Sequence, residues 1–136
     1  MELIRLKSSI YGHLQFVLHK INLNQKLSLF KECWSPKIVG ELNDCNVQVV
    51  KCKGELPWHH HDTEDEMFLT IKGEFIVRLK DKELVLKEGE CAFIPKGVEH
   101  QTAAIEEAQI LYISKKGSVN TGNVREKRTV FKPNKI

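Results

Sequence analysis

Long apolar runs are missing from this chain: no stretch approaches the roughly 18 consecutive apolar residues of a membrane-crossing helix, so no membrane span is expected. Paired cysteines are missing too. Cys33, Cys45, Cys52 and Cys91 form no Cys-x-x-Cys, which argues against a zinc ribbon or a thioredoxin-type centre. The apolar patch at 14–18 is interrupted or flanked by His13, Gln15 and His19 and precedes no small-residue cleavage site, so it is not expected to act as a secretory leader. A cytoplasmic protein with reduced thiols follows as the expectation. An excess of one charge is also lacking, with 21 Lys and Arg against 18 Asp and Glu, and the basic residues cluster only in the tail 125–135. Without a positive stripe or a reading helix, no nucleic-acid partner is expected.

What is present suits one compact domain: 136 residues, 41% apolar and 29% charged, enough for a single core. Short strand-like segments at 38–42, 47–52, 67–71, 75–79, 83–86, 91–94 and 109–114 are separated by turn residues such as those at 80–82 and 87–89. Closely spaced short strands indicate an all-β sandwich or barrel. Ahead of them, Leu23, Lys26, Leu27 and Phe30 recur at helical spacing behind Asn22, a good N-cap, predicting a short helix over 22–30. The chain thus divides into an N-terminal extension (1–37) with a helical or irregular start, a β-barrel (38–114) and a poorly structured C-terminal tail (115–136).

Two glycine-punctuated segments carry the chemistry. Side chains alternate along a strand, so His59 and His61 share a face and His60 points the other way. The polar residues 62–65 let the chain double back and bring Glu66 to the same face. Downstream, Pro95-Lys96-Gly97 makes a corner from which His100 emerges. Three imidazoles and one carboxylate are therefore expected to converge on one metal. Asp62, Glu64 and Asp65 read as a solvated acidic turn, with Glu64 the fallback ligand, and His13 and His19 as residues outside the site.

These residues fall into the spacing of a known family. Gly54, His59, His61, Glu66 and Gly73, then Gly89, Pro95, Gly97 and His100, resemble the two motifs of the cupins, in order. Two departures stand out: four residues rather than five separate Gly54 from His59, and Ala104 occupies the position of the second motif's final Asn. The likeness is to small single-domain bacterial cupins, some of them labelled mannose-6-phosphate isomerase-like. It implies a double-stranded β-helix (jelly-roll) barrel, a bound metal, a small-molecule ligand and a homodimer.

A His₃Glu set accepts iron, manganese, nickel, copper or zinc, so one divalent transition metal per chain is expected without a choice among them. Three neutral imidazoles and one carboxylate leave a formal single positive charge, which favours an anionic oxygen ligand. The expected function is dioxygenation or isomerisation of a small oxygenated or anionic metabolite, with Glu66 as the candidate catalytic base. The alternatives are a sugar-phosphate isomerase, which would need Lys51, Lys53, Arg78 or Lys96 to hold phosphate, and a non-catalytic sensing barrel. Glu90 and Glu99 read as solvent-facing and Tyr112 as a strand residue, so no second acid or base stands out. The N-terminal segment including 34–43 and the later 119–123 are the candidates to cover the pocket, although neither has a chemical signature of its own and packing or a dimer contact is the simpler reading of both.

Overall fold

The computed structural model describes residues 2–5 and 17–136; His13 lies outside the described residues. β1 (Glu2–Arg5) and β2 (Val17–Lys20) form an antiparallel pair of their own. Then comes α1 (Leu23–Leu27), capped as expected by the Asn22 side chain, which accepts from the Gln25 N–H at 3.0 Å. The helix stops short of residue 30 because the Leu29 N–H closes onto the Lys26 carbonyl, three residues back, and the turn carries Leu29 outward. Phe30 still packs with Leu27 against Val39 and Val49.

The remaining strands are β3 (Lys37–Leu42), β4 (Cys45–Glu55), β5 (Glu66–Lys72), β6 (Phe75–Arg78), β7 (Glu83–Leu86), β8 (Cys91–Ile94), β9 (Gln101–Lys115) and β10 (Asn134–Lys135). They make one sheet in the order β10-β3-β4-β9-β5-β8, with β6 joining β9 to β7. β9 organises it. One edge of this 15-residue strand pairs with β4 from Cys45↔Lys115 to Glu55↔Ala103. Its other edge takes β5 along the C-terminal half and β6 along the N-terminal half. Inward-facing Val50, Phe68, Phe75, Val77, Ile110 and Tyr112 fill the main core.

Two expectations change. β9 begins at Gln101, not at 109, so the stretch around Glu106 and Glu107 is strand. The tail is packed rather than loose: Thr121 is fully buried and bonds the Val124 carbonyl and Thr129 Oγ1, while β10 runs parallel to β3. Among the described residues, no helix is long and apolar enough to cross a membrane.

Candidate metal centre

The two motifs meet backbone to backbone. His59 and His100 exchange reciprocal N–H···O bonds of 2.9 Å, an isolated antiparallel bridge that sets the two imidazoles side by side. The corner after β8 is pinned to the same segment, since the Gly97 N–H donates to the His61 carbonyl at 2.7 Å and the Lys96 N–H to Asp65 Oδ1 at 2.9 Å. Gly97, at φ +80°, supplies the left-handed turn this requires. Asp65 is exposed, as expected for a solvated turn, and also holds the corner.

One ligand atom from each of His59, His61, Glu66 and His100 lies within 4.8 Å of the others. The four residues are between 0% and 4% exposed, whereas His60 points away to Glu99 and Asp62, and His19 is exposed on β2. Each ring is oriented through Nδ1. His59 Nδ1–H donates to the Pro57 carbonyl and His100 Nδ1–H to the Val98 carbonyl, both at 2.8 Å. His61 Nδ1 lies 3.3 Å from Glu64 Oε1, which also accepts from Ser118 Oγ at 2.8 Å. Glu64 is thus an orienting group behind His61, and Ser118 fixes Glu64. Such partners set which nitrogen is free to coordinate.

With the Nδ1 protons so placed, every Nε2 presents a lone pair. His100 Nε2 stands 2.9 Å from Glu66 Oε1 and His61 Nε2 3.1 Å from Glu66 Oε2, yet His61 Nε2, His100 Nε2 and Glu66 Oε1 are buried without a hydrogen-bond partner. Acceptors facing acceptors at this range repel unless a cation lies between them. The donor set therefore fits a metal, and these four side chains could hold one.

Protonation follows the same logic. Burial dominates at His59 and pushes it down to about 4, despite the Pro57 carbonyl. At His61 burial pulls downward as well, but the adjacent Glu66 carboxylate outweighs it and raises the pKa. His59 then contributes stability that is present above its ordinary 6.5 and lost as pH falls through about 4. His61 contributes stability present below 6.5 and lost as pH rises through its raised value. Chelator-treated protein should accordingly melt highest near pH 6.5, with a lower midpoint on both sides; thermal melts across pH 4 to 9 check this, and a monotonic trend would contradict it.

A cavity of about 30 Å³ adjoins His59 and Glu66. Its walls are Val50, Phe68, Phe75 and Ile110 from the strands, with Trp34, Pro36 and Asn120 lining it from the two candidate covering segments. Trp34 adopts φ +58° and donates Nε1–H to the Lys53 carbonyl at 2.8 Å, which holds the indole over the cavity. Tyr112 also lines it and was not separable from a core aromatic by sequence. Gln48, 3% exposed, donates to Ser114 Oγ at 3.1 Å in the same buried layer and carried no motif signal.

A β-barrel with a buried, metal-competent His₃Glu cluster defines the class. The chain belongs to the cupin family: the Cupin_2 family, described as cupin domain, matches residues 46–114, about half of its length. It is similar to a cupin-2 domain containing protein of Shewanella frigidimarina, 42% identical, with 71% of this chain and 94% of that one covered and a TM-score of 0.70. A protein of Neisseria meningitidis is 30% identical over 71% of this chain and 99% of its own, with a TM-score of 0.66. The uncharacterised protein YdbB of Bacillus subtilis is 43% identical over 65 residues, 47% of this chain; the match spans 58% of that relative's length.

Proposed function

We propose that His59, His61, Glu66 and His100 hold one divalent transition metal and that the protein acts there on a small oxygenated, anionic metabolite, by dioxygenation or isomerisation. The observation that carries this reading is the set of three buried, unpartnered acceptor atoms aimed at one another. When bound, the metal would supply Lewis acidity or, if redox-active, oxygen chemistry.

The chain's own residues do the rest. The Pro57 and Val98 carbonyls and Glu64 hold the rings in the tautomer that frees Nε2. Phe68, Phe75 and Ile110 keep the neighbouring space apolar, which strengthens charge interactions within it. Among the described residues Glu66 is the one carboxylate on the cavity wall, and it is the group we assign to take a proton from a ligand.

The sugar-phosphate alternative finds no support. Among the described residues, no lysine or arginine lines the cavity. Lys51 donates to the Phe30 carbonyl at 2.6 Å, and Arg78 is engaged by Glu55, Glu83 and Gln101.

Elemental analysis tests the reading. Tag-free wild type purified without chelator should carry near-stoichiometric transition metal, and a His59→Ala, His100→Ala double variant should carry none. Absence of metal from the wild type after reconstitution with each candidate ion would end the metal reading.

A further inference from the structure

Tyr112 has a hydroxyl that its packing does not explain. The residue is 5% exposed, its ring stacks on Phe68 at 5.3 Å and 15°, and it lines the same cavity as His59 and Glu66. Phenylalanine would make the same stack, yet the hydroxyl is buried with no hydrogen-bond partner. The polar groups nearest it are Ser114, which accepts from Gln48, Ser118, which donates to Glu64, and the Glu66 carboxylate, and none of them meets hydrogen-bond geometry with it. A buried polar atom left unpaired costs stability, so its retention needs a reason outside the packing.

We propose that Tyr112 is the ligand-binding hydrogen-bond donor of this cavity, and that the ligand it takes is a small carboxylate or enolate with an apolar body. The proposal rests on the metal reading above, because a metal-bearing His₃Glu set is what makes the site cationic enough for an anionic oxygen. The O–H supplies a directional contact, while Val50, Phe68, Phe75 and Ile110 receive the hydrocarbon part. A phosphate group would bring two charges to walls without lysine or arginine.

The test uses cobalt(II) as a spectroscopic metal, with cobalt content verified by elemental analysis, and titrates wild type and Tyr112→Phe with pyruvate and with inorganic phosphate. Pyruvate should perturb the visible cobalt spectrum of the wild type, and Tyr112→Phe should bind it about tenfold or more weakly, as expected for loss of a hydrogen bond to a charged group. Cobalt content should be unchanged and the melting temperature unchanged or higher, an outcome that a purely structural role for the hydroxyl would not give. Equal pyruvate affinity in the two proteins overturns the role of Tyr112. Phosphate binding as tightly as pyruvate to wild type, or no response to pyruvate, overturns the ligand class independently of the variant. Failure of the wild type to take up cobalt overturns the metal reading and this proposal with it.

Discussion

Exchanging Glu66 for glutamine should lower divalent-metal affinity by about 100-fold or more while leaving the barrel folded. The change conserves volume and removes one charge from a site whose other three donors are neutral imidazoles. Metal binding to four-ligand zinc-finger peptides is worth on the order of 10–16 kcal/mol, so one charged ligand carries about 3 kcal/mol, or roughly 100-fold. The metal-free protein should lose stability too, because a neutral amide forgoes the attraction between the carboxylate and the His61 and His100 imidazoles that favours the ionised form. Burial alone would raise the Glu66 carboxyl, but the His100 and His61 imidazoles beside it outweigh that and hold it at about 2. Its contribution to metal-free stability is therefore present above its ordinary 4.5 and lost as pH falls through about 2. Melts of chelator-treated wild type should show that acid slope and the glutamine variant should lack it. Competition against a chromophoric chelator measures the affinity; a variant that holds metal as tightly as wild type would remove Glu66 from the ligand set.

That argument uses residues whose convergence could be read from local rules. His59 and His61 share a face because strands alternate, and Pro95 and Gly97 turn the chain so that His100 can meet them; all four candidate side chains come together in the fold. The groups behind them obey no local rule. Ser118 reaches Glu64 across 54 positions, and Tyr112 is an ordinary inward strand residue until barrel closure aims its hydroxyl into the cavity. The first half of β9 was hidden for a different reason. Gln101, Thr102, Ala103 and Ala104 are all buried, covered on both faces, so the apolar–polar alternation that marks a half-exposed strand is absent there. The tail misled through its charge: Arg125 to Arg128 look like solvated chain, yet Asn120 receives the Val130 N–H and bonds the Arg128 carbonyl, a closure formed by backbone groups that composition does not report.

The same tail carries the other large expected effect. Gly122 sits at φ +57°, and a Cβ there would lie 2.2 Å from the His60 carbonyl oxygen and 2.9 Å from His59 Cδ2. The turn is pressed onto this strand by paired contacts, the Asn123 N–H to the His60 carbonyl at 3.1 Å and the His60 N–H to Asn123 Oδ1 at 2.9 Å. Alanine at 122 must therefore displace the turn or the backbone between His59 and His61, and neither is the free end of a side chain. A left-handed alanine costs about 1–2 kcal/mol by itself, and the clash should bring the total to about 3 kcal/mol, roughly a 10 °C drop in melting temperature for a chain of this size. Metal affinity should fall as well, because the displaced strand carries two of the imidazoles. Gly54→Ala isolates the conformational part: that residue has φ +85° but nothing within 4 Å of an added Cβ. It should lose only a few degrees and keep its metal. If Gly122→Ala melts no lower than Gly54→Ala and binds metal equally well, the tail does not brace the His59–His61 strand; a larger loss in both measurements makes residues 119–123 a structural wall of the metal centre.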